Sequence, residues 1–117
     1  MTGAMAHAAG MAAEDQVEAH YMRSGRTVAA RRWRGKAGEI DLILRDGSGL
    51  IFVEVKRAKT HRLAAERLST RQIQRIRAAA SEFVAAEPAG QDSEMRFDVA
   101  LLDAAGQIEI VENALGP

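Results

Sequence analysis

Apolar residues recur at Ala13, Val17 and Tyr21, one helical turn apart. Met22 widens the stripe, and Gly25 is placed to end it. This spacing predicts a helix over residues 8–23, after a small-residue segment 1–9 that reads as frayed. Residues 27–34 carry a weaker strand pattern, Thr27-Val28-Ala29-Ala30 running into basic residues, and Gly35 and Gly38 then mark a turn. Two dense apolar runs follow, Gly38-Glu39-Ile40-Asp41-Leu42-Ile43-Leu44 and Leu50-Ile51-Phe52-Val53-Glu54-Val55-Lys56, separated by Asp46-Gly47-Ser48-Gly49. Asp-Gly between such runs is a hairpin signal. A two-residue loop at Gly47-Ser48 makes the numbers of cross-strand partners sum to 95.

Beyond Lys56 the chain is polar and basic, with a short helix expected near 63–68. Ser69 and Gln72 fit a capping box that opens the next helix. Ile73, Ile76, Ala80, Phe83 and Val84 form its buried stripe, and Pro88 and Gly90 stop it. Residues 89–95 read as a loop, 96–102 as a strand, 103–107 as a turn and 108–112 as a last strand. The intervening helix favours a parallel relation between strands 50–56 and 96–102. The expected fold is a single α/β (α+β) domain over 10–115, with a mixed central sheet flanked by helices in the order α-β-β-β-α-β-β.

The hairpin register divides its side chains between two faces. One would pair Ile40 with Val55, Leu42 with Val53 and Leu44 with Ile51, and is wholly apolar. The other would pair Glu39 with Lys56, Asp41 with Glu54, and Ile43 with Phe52. Directly opposed Cβ atoms lie about 4.5–5.5 Å apart, where two ionised carboxylates repel. A divalent cation reverses that repulsion. Mg²⁺ takes one or two carboxylates and leaves the rest of its octahedron to water and phosphate oxygens. Two acids with a lysine beside them form a constellation suited to phosphodiester hydrolysis.

Composition and charge direct attention to the partner. The 117 residues include no cysteine, which excludes disulfides and thiolate metal sites and suits a reducing compartment. No apolar run approaches the ~20 residues of a membrane helix, and the first residues do not have the build of a signal peptide. The expectation is a cytoplasmic protein with no membrane partner. The net charge of zero hides an asymmetry: residues 23–77 hold 15 of the 16 basic residues and 5 of the 16 acids, so this segment is +10 and the remainder −10. Basic residues flank the hairpin on both sides, where they can guide a phosphate backbone across it. Arg31, Arg32, Arg34, Lys36, Arg57, Lys59 and Arg71 are the candidate nucleic-acid contacts. Aromatic residues make up only 4% of the chain, so recognition would rest on phosphates and shape, with little base stacking.

The motifs Gly38-Glu39-Ile40-Asp41-Leu42-Ile43, Phe52-Val53-Glu54-Val55-Lys56 and Arg96-Phe97-Asp98-Val99 closely resemble the YraN family of small bacterial proteins. Ala13-Glu14, Ala19, Tyr21, Gly25 and Asn113-Ala114 extend the resemblance over nearly the whole chain. That family looks like the restriction-endonuclease-like superfamily with the PD-(D/E)XK signature, closest in layout to Holliday-junction resolvases. The resemblance implies a restriction-endonuclease-like domain and Mg²⁺-dependent cleavage of double-stranded or branched DNA, with Mn²⁺ as a substitute cation. By the same resemblance Asp41 and Glu54 would be metal ligands and Lys56 the water-positioning residue. Glu14 on the first helix and the Val55 carbonyl would be further ligands. This chain departs from the family pattern at Arg32, where asparagine is usual, at Arg71, where lysine is usual, and in the missing Phe-Gly near 60–64.

Other roles compete for several of these residues. Glu39 suits an ion pair with Lys56 or an arginine as well as a supporting place at the site. Gln72 is either the N3 half of the cap or a supporting site residue. Asp98 suits an arginine partner, and Trp33 suits either base stacking or packing under the sheet. His7, His20 and His61 are scattered and suggest no metal cluster. A homodimer would let one small subunit cut each strand. The rival functions are a non-catalytic nucleic-acid-binding accessory module with the same fold, and a protein-interaction scaffold.

Overall fold

A computed structural model describes the backbone of residues 3–115 and the side chains from Ala12 to Leu115. The reading of 1–9 as frayed falls on residues whose side chains, and for 1–2 the backbone, lie outside the described part. The elements run α1 (Gly3–Arg23), β1 (Thr27–Arg34), β2 (Glu39–Asp46), β3 (Gly49–Arg57), α2 (His61–Glu66), α3 (Thr70–Val84), β4 (Met95–Leu102) and β5 (Ile108–Val111), with a short 3-10 turn over Gly90–Asp92. The first helix starts earlier than its apolar stripe. Five of the ten helix residues ahead of the stripe are alanine, the best helix former, and none is proline.

The five strands form one sheet in the order β1-β2-β3-β4-β5. β3 and β4 are parallel, as the intervening helices require, and the other neighbours are antiparallel. The hairpin has the register its turn dictates, with Leu42 opposite Val53, Ile43 opposite Phe52 and Leu44 opposite Ile51. Gly47 takes a φ of 61°, the left-handed conformation that makes Asp-Gly a tight turn.

Each face of the sheet is covered. Ala13, Val17 and Tyr21 of α1 pack on Leu42, Leu44, Ile51, Val53, Ala100 and Leu102. On the opposite face Ile76, Ala79, Ala80 and Val84 of α3 pack on Ile40, Ile43, Leu50, Phe52 and Phe97. Trp33 belongs to this second layer, edge-on to Phe83 at 5.4 Å, so it packs under the sheet and leaves no stacking platform. Met22, expected to widen the α1 stripe, is 52% exposed because Tyr21 already fills the end of the groove.

Tyr21 is held there by its hydroxyl, which donates to Asp98 Oδ2 at 2.8 Å. Asp98 is 1% exposed and also accepts both Arg96 guanidinium bonds and the Asn113 backbone N–H. One buried carboxylate thus ties α1, β4 and the segment after β5 together. Its arginine partner and structural character agree with the sequence reading.

The thresholds of α2 and α3 are set by side-chain caps. Thr60 Oγ1 accepts from Leu63 N and Ser69 Oγ from Gln72 N, each at 3.1 Å. The reciprocal half of the expected capping box is not made, because the Gln72 side chain turns to Glu54 instead.

Candidate metal centre and the groove around it

The hairpin ladder does not continue to the acids. Pairing between β2 and β3 runs from Asp46–Gly49 to Leu42–Val53 and ends there. The expected partners Asp41–Glu54, Ile40–Val55 and Glu39–Lys56 are therefore not ladder pairs. β2 is irregular on its other side as well. β1 pairs with β2 at Arg31–Leu42 and at Trp33–Ile40 but skips Arg32–Asp41, and Arg32 has a φ of 47°. A left-handed residue in a strand breaks the alternation of side chains. Ile40 packs with Ile43 and Ile76 on the α3 face, and not with Leu42 on the α1 face as the hairpin alternation predicted.

Released from the ladder, Asp41 uses its side chain in place of a backbone acceptor. The Val55 N–H donates to Asp41 Oδ2 at 2.8 Å. A strand residue presents its N–H and C=O to the same neighbour. The Val55 carbonyl therefore also looks toward the gap between β2 and β3, beyond the last ladder pair. Glu54 enters the same gap from β3 and is only 6% exposed. Gln72, in the first turn of α3, donates to Glu54 Oε2 at 3.3 Å. Burial pushes the Glu54 carboxyl up to about 9, and the adjoining Asp41 carboxylate pushes in the same direction. Lys56 and Gln72 oppose the shift without reversing it. Both causes favour the protonated form of Glu54 while Asp41 stands beside it without a cation.

Two grooves open on this pair. One is lined by Arg34, Glu39, Gln72 and Arg75, and the other by Glu14, Lys56, Arg57, Arg67 and Gln72; Asp41 and Glu54 border both. Lys56 thus stands in the same groove as both acids. Glu14 reaches that groove from α1, but its Oε2 accepts from Arg32 Nε at 2.9 Å. Glu39 pairs with Arg34 at 3.2 Å and not with Lys56. No group of three or more His, Cys, Asp or Glu side chains among the described residues has the spacing of a metal cage. Asp41, Glu54 and Val55 line the same groove, and two carboxylates with a backbone carbonyl would be an all-oxygen set, the sparse kind that suits Mg²⁺ or Mn²⁺ with water and substrate completing the shell.

The basic segment divides in two. Arg31 makes both its bonds to Glu18, at 2.6 and 3.0 Å, Arg32 is paired with Glu14, and Arg34 with Glu39. Among the described residues Lys36, Lys56, Arg57, Lys59, Arg67, Arg71 and Arg75 make no ion pair. Arg57, Arg67 and Arg75 line the carboxylate grooves; Lys36, Lys59 and Arg71 lie exposed outside them. Arg67 and Arg75 were not among the sequence candidates. The signal for Arg75 was available: Gln72, Arg75 and Ile76 stand at i, i+3 and i+4 on one helical face.

The model of an uncharacterised family, UPF0102, matches residues 13–102, a span holding every one of these site residues. The chain belongs to that family. This is the YraN family that the hairpin motifs resemble. Full-length relatives agree: UPF0102 proteins of Cereibacter sphaeroides and Ruegeria pomeroyi are 60% and 54% identical over 97% of this chain, covering 97% and 93% of their own lengths. A UPF0102 protein of Dinoroseobacter shibae is 43% identical over 95% of the chain. Membership of the family fixes no chemistry by itself. No helix among the described residues is long and apolar enough to cross a membrane.

Proposed function

We propose that this protein is a Mg²⁺-dependent endonuclease that hydrolyses phosphodiester bonds in double-stranded or branched DNA. The observation that carries the reading is the buried Glu54 carboxyl beside Asp41, bordering two grooves in the gap where the β2–β3 ladder has ended. A buried carboxyl with a second acid beside it is costly to keep for stability alone. It becomes useful when a cation takes the place of the proton.

The donor set fits Mg²⁺ or Mn²⁺, held by Asp41, Glu54 and the Val55 carbonyl. Such a cation, when bound, supplies Lewis acidity and acidifies water near the phosphate. The chain's own residues do the remaining work. Asp41 is fixed by the Val55 N–H, and Glu54 by Gln72, so both carboxylates are oriented before any ligand arrives. Lys56 stands in the same groove as both acids, where its ammonium can position water and balance charge developing on the phosphate. Arg57, Arg67 and Arg75 line the two grooves without partners of their own and are suited to flanking phosphates. A two-fold dimer would place one such site on each strand of a duplex.

Calorimetry tests the reading. Mn²⁺ or Mg²⁺ binding to the wild-type protein should disappear in Asp41→Ala and in Glu54→Ala. Binding that persists in both variants means the site is assigned wrongly.

A further inference from the structure

Arg32 is an unusual choice for its position. Its φ of 47° lies in the left-handed region, where a residue with a long side chain is strained and asparagine or glycine is at ease. Its reward is an ion pair with Glu14, with side chains 41% and 25% exposed, and exposed pairs of this kind contribute little to stability. Docking of α1 against β1 does not depend on it, since Arg31 and Glu18 already make a two-bond clasp one turn further along. What sets Arg32 apart from Arg31 is its partner. Both line a groove with Glu14 and Asp41, but Arg31 is held by Glu18, whereas Arg32 is held by Glu14, the acid that borders the Lys56 groove together with Asp41 and Glu54.

We propose that Arg32 is the site's own counter-cation: it occupies Glu14 beside Asp41 and yields that carboxylate to a divalent cation only when a substrate phosphate takes the guanidinium. This rests on the metal-site reading above and deepens it. Glu14 has two partners to choose between, Arg32 or the cation, and Arg32 has two, Glu14 or a phosphate. Each phosphate–Arg32 contact therefore frees an acid for the cation, and each bound cation frees a guanidinium for phosphate. The two ligands must then bind cooperatively, each raising the affinity of the other by the same factor. The device disfavours cation loading of the empty protein and favours it on DNA.

The test is Mn²⁺ calorimetry on the wild type, Arg32→Asn, Glu14→Gln, the double variant and Arg31→Asn, with and without a short DNA duplex. Asparagine relieves the backbone strain, so the variant is expected to fold. Removing one positive charge from beside the carboxylates should tighten Mn²⁺ binding about tenfold in Arg32→Asn. Arg31→Asn should leave Mn²⁺ affinity within about twofold, its guanidinium being held by Glu18 and not by Glu14. Glu14→Gln should weaken binding much more in the Arg32→Asn background than in the wild type, a non-additive cycle. Duplex should tighten Mn²⁺ binding in the wild type and lose that effect in Arg32→Asn. Equal, Asp41-dependent affinities in wild type and Arg32→Asn, or an unchanged duplex effect, overturn the role of Arg32 alone. Absence of Mn²⁺ binding in every protein overturns it together with the metal site.

Discussion

Asp41 accepts the backbone N–H of Val55 through its side chain, at 2.8 Å, just past the last ladder pair of the hairpin. A carboxylate thus replaces a main-chain carbonyl at the place where two strands part. The bond satisfies a β3 donor that would otherwise be orphaned, and it fixes Asp41 next to Glu54. The candidate site is an interruption of the sheet and not a decoration of its surface.

Charge on Glu54 should cost stability. Its carboxyl titrates near 4.5 when unfolded and is pushed up to about 9 in the fold. Between those values the native state binds more protons than the unfolded one, so stability is fully present below the lower value and falls as pH rises toward the upper. Melting of cation-free protein should show Tm declining from pH 5 to pH 9. Glu54→Gln should flatten the decline and raise Tm at pH 8 by a few degrees.

Cation binding should release protons for the same reason. Near neutral pH about one proton should leave per Mn²⁺ bound, and affinity should rise up to about tenfold per pH unit below pH 9. Calorimetry in buffers of different ionisation enthalpy reads the proton count directly. A count of zero would mean that Glu54 is not the group displaced.

Tyr21 and Asp98 should matter for folding alone. Removing the hydroxyl in Tyr21→Phe leaves Asp98 with its arginine and should cost about 1 kcal/mol. Asp98→Ala removes both Arg96 bonds to it, leaves the Tyr21 hydroxyl and the Asn113 N–H without their acceptor, and should cost about 3–5 kcal/mol. Denaturant titration gives both values, and neither variant that folds should change Mn²⁺ affinity.

The free cations should outrank the paired ones in DNA binding. Arg67→Ala and Arg75→Ala should each weaken duplex binding and lower the salt slope by about one. Arg34→Ala, whose guanidinium is already taken by Glu39, should have a smaller effect. Fluorescence anisotropy across a salt series separates the two groups.

These contrasts mark where the sequence is legible. The hairpin register followed from the Asp-Gly turn between two apolar runs, a local signal, and the helix start at Ser69 from a cap that needs only a few residues. The parallel β3–β4 pair followed from the length of the connection. What stayed hidden is an irregularity of the backbone. Nothing in the letters shows that Arg32 is left-handed, that the β2–β3 ladder ends at Leu42–Val53, that Ile40 turns to the other core or that Asp41 bonds Val55 through its side chain. The pairing of Glu14 with Arg32 was equally out of reach, since it joins a helix to an edge strand whose register the letters do not show. Asp98 carried a clearer signal, an acid within a hydrophobic strand two residues from an arginine.

The most direct measurement is cleavage of linear and branched DNA in the presence of Mg²⁺, with Asp41→Ala as the control. The account predicts cleavage by the wild type that chelation abolishes, and none by Asp41→Ala despite retained DNA affinity. DNA bound with a steep salt dependence but never cut, or cleavage undiminished in Asp41→Ala, would contradict it.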